Sequence, residues 1–384
     1  MDFSEPAVRS RTAFHLDSTP AKLNFHLFIA VESSILEQTD GCIAVRTEFS
    51  NPVTNMASVK LHNGKTFSSE TGTSLLDSAR TEGITLEYSC RTGRCGVCKT
   101  QVLSGETEAF KGETSLTPDE SAAGWILTCC RHAVTDVEID AEDLGALGNI
   151  VVKTLPCRID TISRLSDNVV EVILRIPPNS NFTYLPGQYL DIIGEAGLRR
   201  SYSIANAQRA DGKLELQIRE VEQGMMSQYW FANAKHNDLL RLEGPLGTFS
   251  LREKDVRNIV FLATGTGIAP VKAMLEQMLG NPSLTAGKKI FIYWGGRTIS
   301  DIYWNPQLQE LDATFIPVLS RADSEWTGRT GYVQSALIND AIDLTQSVVY
   351  ACGSEDMIHS ARDALTTSGL PVKNFYSDAF VSSN

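Results

Sequence analysis

Four of the eight cysteines in the chain lie close together and have the spacing of an iron–sulfur site. The first three follow the pattern Cys-x4-Cys-x2-Cys, and a fourth comes about thirty residues later, which is the plant-type [2Fe–2S] spacing. Two ferric irons need four thiolates, and a tight loop must carry three of them over the sulfides. Gly93 and Gly96 permit this close approach and let backbone N–H groups reach the sulfurs. The predicted ligands are Cys90, Cys95, Cys98 and one of the adjacent pair Cys129 and Cys130.

Two alternatives to this ligand set follow from the same residues. A structural zinc site usually takes its ligands as Cys-x2-Cys pairs, and Cys90 with Cys95 is not such a pair. The fourth ligand has two adjacent candidates, Cys129 and Cys130, which spacing alone does not separate. Eight cysteines in 384 residues are too few for a disulfide scaffold. The cysteines therefore predict a metal site.

Two motifs in the middle of the chain suit a large, flat, anionic cofactor. In Arg200-Ser201-Tyr202-Ser203, an extended segment, alternate side chains share one face. The arginine would pair with a pyrophosphate, the tyrosine would stack on a flat ring, and Ser203 offers a hydroxyl near the reactive edge of that ring. In Gly224-Met225-Met226-Ser227, the start of a helix offers backbone N–H groups to a phosphate. Each motif is weak alone, and together they predict the cofactor site.

The last third of the chain alternates strands and helices, as a parallel sheet does. A buried strand, 258–263, leads into the turn Gly265-Thr266-Gly267-Ile268-Ala269-Pro270. This turn suits a pyrophosphate, although it is not the GxGxxG fingerprint. Ligands of such sheets bind at the carboxyl ends of the strands. The residues at those ends are Gly295, Arg297, Ser320, Arg321, Cys352 and Gly353.

Three of these strand-end residues also have ordinary explanations. Ser320 and Arg321 would meet the 2′-phosphate of NADPH, but an arginine after a strand is also a common surface residue. Cys352 ends a buried strand, where most cysteines are inert core thiols. The choice between NADH and NADPH stays open at this point.

Local signals place the motifs on elements. Asn63-Gly64 predicts a hairpin turn, and capping hydroxyls before Leu75 and at Thr117 predict two short helices. The strictly alternating run 214–218 predicts a strand of an antiparallel β-domain. The predicted divisions are an N-terminal extension of uncertain structure (1–55), a cysteine-bearing domain (56–149), an antiparallel β-domain (150–253) and an α/β domain (254–384).

Composition limits the class of protein. The chain has 42% hydrophobic and 21% charged residues, as soluble globular proteins do. Its net charge of −12 argues against a nucleic-acid partner. The apolar piece 25–31 is too short to span a membrane, no secretory signal is visible, and an oxygen-sensitive cluster favours the cytoplasm. A natural start at Met56 and a poorly ordered extension explain residues 1–55 equally well.

The order of these motifs resembles the ferredoxin–NADP reductase superfamily with a fused N-terminal plant-type ferredoxin, over residues 56–384. The resemblance implies a multidomain α/β plus β protein: a β-grasp [2Fe–2S] ferredoxin domain, an antiparallel β-barrel for FAD and a parallel α/β domain for NADH or NADPH, with NADH favoured. It places the fourth cluster ligand at Cys129. It also implies that Ser203 and Cys352 line the hydride path, and that Phe380 covers the flavin and moves aside for the nicotinamide.

Several stretches resemble CDP-6-deoxy-3,4-glucoseen reductases in particular: 127–130, 187–191, 199–206 and 376–380. This likeness implies an electron-accepting partner, a pyridoxamine-phosphate-dependent dehydrase that deoxygenates CDP-hexoses on the route to the 3,6-dideoxysugars of lipopolysaccharide. Trp294-Gly295-Gly296-Arg297 departs from that group and looks more like the reductase components of aromatic-ring and alkane oxygenases. An oxygenase is therefore the alternative acceptor.

Two other classes of function fit the sequence less well. A redox sensor would need an output helix or a DNA-binding segment, and none is visible. An enzyme that reduces its own small molecule at the flavin would have no use for the ferredoxin domain. The sequence therefore predicts an electron-transfer reductase.

Overall fold

The computed structural model describes residues 35–39, 42–46, 56–147, 150–194 and 197–380. The first two ranges form a hairpin of strands β1 (Ile35–Thr39) and β2 (Cys42–Arg46), which belongs to a unit separate from residues 54–384. The sequence predicts no strand pair before Met56, so this hairpin was not predicted. The apolar piece 25–31 lies outside the described residues.

The cysteine-bearing part is a mixed sheet with two short helices. Its strands run in the order β4-β3-β9-β5-β7, with β3 and β9 parallel, and β6 pairs with β8. The elements are β3 (Met56–Leu61), β4 (Thr66–Glu70), α1 (Leu75–Thr81), β5 (Lys99–Ser104), β6 (Thr107–Ala109), α2 (Pro118–Ala122), β7 (Trp125–Leu127), β8 (Arg131–Ala133) and β9 (Val137–Ile139).

The turn between β3 and β4 and the starts of α1 and α2 lie at the turn and cap residues that the sequence predicts. Gly64 has a φ of +80° in the turn between β3 and β4. Ser74 Oγ accepts the Asp77 N–H at 3.0 Å at the start of α1. The Thr117 side chain and the Glu120 side chain cap each other's backbone N–H groups at the start of α2. These two helices bracket the segment that carries the first three cysteines.

The middle part is an antiparallel barrel. Its strand order is β13-β12-β15-β10-β11-β14, and a bridge between Ile204 and Leu216 joins the two outer strands. The elements are β10 (Lys153–Ser166), β11 (Val169–Arg175), β12 (Tyr189–Ile193), β13 (Arg199–Ser203), β14 (Leu214–Arg219), α3 (Met225–Gln228) and β15 (Leu239–Leu246). The interior is filled by aliphatic side chains such as Ile159, Val172 and Leu216.

The last part is a six-stranded, fully parallel sheet in the order β19-β18-β17-β16-β20-β21. One apolar cluster covers each face of this sheet. The elements are β16 (Asn258–Thr264), α4 (Ile268–Gly280), β17 (Lys289–Gly296), β18 (Ala313–Leu319), β19 (Arg329–Thr330), α5 (Val333–Asn339), β20 (Ser347–Ser354), α6 (Glu355–Thr367) and β21 (Phe375–Phe380).

The three sheet types match the predicted fold class. Where strand order changes between β16 and its neighbours β17 and β20, the carboxyl ends open a crevice for a ligand. None of the helices within the described ranges is both long enough and apolar enough to cross a membrane.

Candidate functional site

The four predicted cluster ligands lie together as two pairs of sulfur atoms. Cys98 Sγ lies 3.3 Å from Cys129 Sγ. Cys90 Sγ accepts the Cys95 and Thr92 backbone N–H groups, both at 3.4 Å, and the Cys95 thiol also bonds to it. Within the described residues no three His, Cys, Asp or Glu side chains are arranged around a single ion. Two thiol pairs fit two irons with two ligands each, and do not fit one zinc.

One sulfur of each pair is set up as a thiolate. Hydrogen bonds from Cys95 lower the pKa of Cys90 to about 5, although burial opposes this shift. Hydrogen bonds from Cys130 and Cys98 lower the pKa of Cys129 to about 3. A thiolate is the form that binds metal. The donor set is therefore suited to an iron–sulfur cluster.

Gly93 sits where the loop over the sulfurs meets a second loop. A Cβ built on Gly93 would lie 2.1 Å from Gly112 O and 2.8 Å from Cys130 Sγ, and its φ is +78°. Cys130 Sγ lies 3.4 Å from Gly112 O and 3.5 Å from Cys129 Sγ, and its one S–H proton is shared between these two acceptors. Cys130 thus belongs to the packing between the loops, whereas Cys129 lies opposite Cys98. This arrangement favours Cys129 over Cys130 as a ligand.

A cavity of about 430 Å³ opens beside β13 of the barrel. Arg200, Ser201, Tyr202 and Ser203 line it, together with Phe380. Ser203 Oγ is buried and has no hydrogen-bond partner among the described residues. A buried hydroxyl without a partner is costly, so this atom fits the edge of a polar ring that is bound there. The cavity therefore fits a flavin.

The second barrel motif, Gly224–Ser227, lies near the start of β13, the end that carries Arg200. Residues 225–228 form a single helical turn, and a Cβ on Gly194 would lie 2.9 Å from Met226 Sδ. Gly194 donates its N–H to Leu198 O, next to the arginine end of β13. Ser227 Oγ accepts the Val221 N–H at 2.8 Å, which fixes the turn. The two motifs are thus brought to the same edge, as a dinucleotide requires, although the turn does not line the 430 Å³ cavity.

A larger cavity of about 730 Å³ lies at the carboxyl ends of the parallel strands. Five predicted residues line it: Gly265, Thr266, Gly295, Arg297 and Ser320. The cavity is open enough for an extended dinucleotide at the place where such sheets bind ligands. Arg321 is exposed and does not line it.

Four other predicted residues lie behind the wall of this cavity. A Cβ on Gly267 would lie 2.1 Å from Cys352 O, and one on Gly353, whose φ is +152°, would lie 2.1 Å from Thr264 Oγ1. Only glycine permits this close contact between β16, β20 and the start of α4. Ile268 and Pro270 are buried in α4. These residues shape the turn and do not line the cavity.

The three predicted catalytic residues are placed differently. Ser203 lines the barrel cavity, and Phe380, which is 38% exposed, lines both cavities. Cys352 is fully buried, which raises the pKa of its thiol, and it lines neither cavity. In this arrangement Phe380 stands between the two cavities, while Cys352 lies in the sheet core.

Sequence reasoning missed several residues of these sites. Arg219 and the exposed Tyr332 line the larger cavity, and Asp378 lines the smaller one. Burial raises the pKa of Asp378 to about 6. The available signal for Asp378 was a carboxylate inside a strand, β21, that has aromatic residues at both ends. The signal for Tyr332 was an aromatic residue directly before a helix on the ligand side of the sheet.

Family models match three successive parts of the chain. Residues 60–134 match the 2Fe-2S iron-sulfur cluster binding domain, 156–251 the oxidoreductase FAD-binding domain and 261–363 the oxidoreductase NAD-binding domain. A reductase of CDP-6-deoxy-L-threo-D-glycero-4-hexulose-3-dehydrase from Yersinia pestis is 43% identical over 330 residues, which are 85% of this chain and 98% of the relative. The chain belongs to the iron–sulfur flavoprotein reductases of the ferredoxin–NAD(P) reductase superfamily. It is an NAD(P)H-dependent oxidoreductase whose cofactors are FAD and a [2Fe–2S] cluster.

Other members of this reductase family are less similar. Reductase component 1 of terephthalate 1,2-dioxygenase from Comamonas is 30% identical over 81% of this chain and 93% of its own length. Among solved structures, the Amycolatopsis cytochrome P450 reductase GcoB superposes with a TM-score of 0.67 at 26% identity, over 85% of this chain and 99% of that one. The predicted fold class and cofactors are confirmed.

Proposed function

We propose that the cysteine loop and the two cavities form one route for electrons from NAD(P)H to a protein acceptor. When bound, FAD accepts a hydride from the nicotinamide, and the [2Fe–2S] cluster passes electrons on one at a time. The observation that carries the proposal is that the three sites adjoin: Phe380 lines both cavities, and Cys90 lines the flavin cavity.

Each residue has a stated role in this route. Ser203 would offer its unpaired hydroxyl to the edge of the flavin. Phe380 would cover the flavin ring until the nicotinamide replaces it. Cys352, at the end of β20, would lie behind the path of the hydride. The cluster ligands would be Cys90, Cys95, Cys98 and Cys129. FAD would be held by Arg200–Ser203 and Gly224–Ser227. The nicotinamide dinucleotide would lie against Gly265, Thr266, Gly295, Arg297 and Ser320. Gly267, Ile268, Pro270 and Gly353 would shape the turn that receives it, and Arg321 would stay outside the cavity.

The acceptor that we propose is a pyridoxamine-phosphate-dependent CDP-6-deoxyhexose 3-dehydrase. The support is the difference in similarity: 43% identity to the dehydrase reductase over nearly its whole length, against 30% to the oxygenase reductase. The product of such a pair would be a 3,6-dideoxysugar precursor of lipopolysaccharide. The site of action would be the cytoplasm, which suits an oxygen-sensitive cluster.

The test is a reconstituted anaerobic assay. Purified chain, the dehydrase, its CDP-6-deoxy-4-hexulose substrate and NADH are mixed, and the 3-deoxygenated product is quantified. We expect product in proportion to NADH consumed. Cys95→Ser is the matched control, because it removes one cluster ligand: it should abolish product while NADH-dependent reduction of ferricyanide continues. Product formation at an undiminished rate with Cys95→Ser would contradict the route through the cluster.

An oxygenase is the second candidate acceptor, and one observation favours it. The stretch Gly295-Gly296-Arg297 looks more like the reductase components of oxygenases than like the dehydrase reductases, and it lies at the end of β17, where Gly295 and Arg297 line the nucleotide cavity. The same reductase is therefore mixed with an aromatic-ring oxygenase component, and substrate hydroxylation is measured. Hydroxylation together with an inactive dehydrase assay would replace the first acceptor with the second.

NADH is the electron donor that we propose. Of the two residues that could meet a 2′-phosphate, Arg321 does not line the cavity, and Ser320 Oγ donates to Gly296 O at 3.3 Å. Asp301 also lines the cavity and adds a negative charge beside the site. The value of kcat/KM should therefore be higher for NADH than for NADPH, and the reverse order would contradict this assignment.

We also propose that the domain boundaries lie at 56–149, 150–253 and 254–384, after the extension 1–55. The three family models fall inside these limits. Limited proteolysis should cut first near residues 148–150 and 253–257. Fragments that begin or end inside one of the three sheets would contradict these boundaries.

A further inference from the structure

Three parts of the molecule meet at Ser89, the residue directly before the cluster cysteine Cys90. The Ser89 hydroxyl donates to Asp378 Oδ1 at 2.6 Å, on strand β21 of the parallel sheet. The Ser89 carbonyl accepts the Tyr189 hydroxyl at 2.7 Å, from strand β12 of the barrel. Ser89 and Asp378 are each only 4% exposed. One buried residue of the cysteine-bearing part is thus tied to both of the other parts.

The neighbouring residues are tied down as well. The Tyr88 N–H donates to Thr248 Oγ1 at 3.0 Å, and the Thr248 N–H donates to Tyr88 O at 3.1 Å. On the far side of Cys90, Arg94 forms an ion pair of 3.2 Å with Glu355 at the start of α6. The segment 88–94 is therefore fixed at both ends, and its centre faces the flavin cavity.

The Ser89 hydroxyl is the contact that depends most on a side chain. Among the described residues, the Ser89 hydroxyl is the one side-chain donor to the Asp378 carboxylate. A buried carboxylate whose hydrogen bond is removed costs free energy, so the two surfaces would separate or admit water. The loop that carries Cys90 would then move relative to the cavity wall.

We propose that Ser89 is a positioning residue for electron transfer: through Asp378 and Tyr189 it holds the Cys90 side of the cluster against the flavin cavity. This inference rests on the proposed electron route. It assigns the main effect of the contact to the step between flavin and cluster. Since Ser89, Tyr189 and Asp378 also line the flavin cavity, a smaller effect on the step between NADH and flavin is expected.

The test is anaerobic stopped-flow reduction of Ser89→Ala by NADH, with flavin and cluster absorbance followed separately. We expect flavin reduction within twofold of the wild-type rate. Reduction of the cluster should be slower by about tenfold, because loss of one buried hydrogen bond shifts the equilibrium between the positioned and the displaced loop by about that factor. Iron, sulfide and FAD content should stay at wild-type values. Ser78→Ala is the matched control. Ser78 lies in the same part of the chain, and its hydroxyl is buried but has no hydrogen-bond partner among the described residues.

A second variant decides the outcome if Ser89→Ala loses iron. Tyr189→Phe removes the other hydrogen bond to Ser89 without changing the cysteine-bearing part, and it should also slow cluster reduction more than flavin reduction. Because Tyr189 lines the flavin cavity, the FAD content of this variant is measured first, and the rates are compared for FAD-loaded protein. Unchanged cluster reduction in this variant and in Ser89→Ala, or an equal loss in both steps, would overturn the inference. If the wild-type protein itself reduced its flavin but never its cluster, the proposed electron route would fail instead.

Discussion

At the scale of single residues, the two adjacent cysteines at 129 and 130 differ in what surrounds their sulfurs. Cys129 Sγ lies 3.3 Å from Cys98 Sγ. Cys130 Sγ lies behind it, 3.5 Å from Cys129 Sγ and 3.4 Å from Gly112 O. Because a ligand must face its paired thiolate, Cys129→Ser should reduce bound iron to less than half, and Cys130→Ser should leave it within about a tenth of the wild-type value. Iron, sulfide and visible circular dichroism measure the outcome. Equal iron loss in both variants would mean that Cys130 is also a ligand.

The unpaired hydroxyl of Ser203 gives a second prediction at this scale. Its Oγ is buried and lacks a partner among the described residues, so the bound flavin should supply one. Ser203→Ala should raise the dissociation constant of FAD by about tenfold and slow flavin reduction by NADH, since one buried hydrogen bond is lost. Fluorescence titration of the apoprotein with FAD measures the affinity. The thermal midpoint of the apoprotein is the internal control. If it fell as much as that of the holoprotein, the hydroxyl would be structural.

At the scale of elements, two glycines in contrasting surroundings flank α4: Gly267 directly precedes the helix and Gly280 is its last residue. A Cβ on Gly267 would meet Cys352 O at 2.1 Å, while one on Gly280 would have nothing within 4 Å. Gly267→Ala should therefore lower the stability by about 1–3 kcal/mol through overpacking and weaken NADH binding. Gly280→Ala should be neutral or stabilising by up to about 1 kcal/mol, because alanine favours a helix. Thermal unfolding and the KM for NADH separate the two, and similar behaviour would contradict the close packing of β20 against α4.

Element positions were predicted well where local chemistry decides them. The hairpin at Asn63-Gly64 and the capping box at Thr117 lie where sequence rules place them, because turns and caps depend on a few adjacent residues. The exposure of strand faces was less predictable. The alternation in β14 indicates one polar face, yet Glu215 and Gln217 on it are buried. Lys272, which is 57 positions from Glu215 in the sequence, covers that face. The period of polar and apolar residues within a strand does not show which distant residues will pack against it.

The residues of the candidate site also fall into two groups: those with a local sequence signal, and those whose role depends on contacts with distant parts of the chain. Cluster ligands, the Arg-x-Tyr-Ser motif and the glycine-rich turn carry their chemistry in a short stretch, so the sequence shows them. Residues whose role depends on contacts between parts, such as Ser89 with Asp378, stand 289 positions apart and have no local signal. Cys352 differs from these residues: its place at a strand end predicts a role on the hydride path, and in the structure its side chain is buried in the apolar cluster on one face of the sheet.

At the scale of the whole molecule, a buried polar network joins the barrel to the parallel sheet. Lys272 Nζ, on α4, donates to Glu215 at 2.8 Å, Glu276 at 2.7 Å and Ala205 O at 3.1 Å. Tyr303 donates to Gln217 at 3.0 Å in the same interface. Burial alone would lower the pKa of Lys272, but the two carboxylates raise it on balance. The ammonium therefore stays charged, and the interface between the flavin and nucleotide sites is held by a fully paired cation.

Removing that cation should show how much the interface depends on it. Lys272→Met leaves the Glu215 carboxylate buried without its charge partner, which costs about 3–5 kcal/mol because an unpaired buried charge is strongly unfavourable. We expect a lower midpoint of thermal unfolding and, since both cavities are built across neighbouring parts, slower flavin reduction by NADH. The double variant Lys272→Met/Glu215→Leu removes both charges and should recover most of the lost stability. Differential scanning calorimetry of the FAD-loaded proteins measures both. If the double variant were as unstable as the single one, packing of the Lys272 stem, and not the charge pair, would hold the interface.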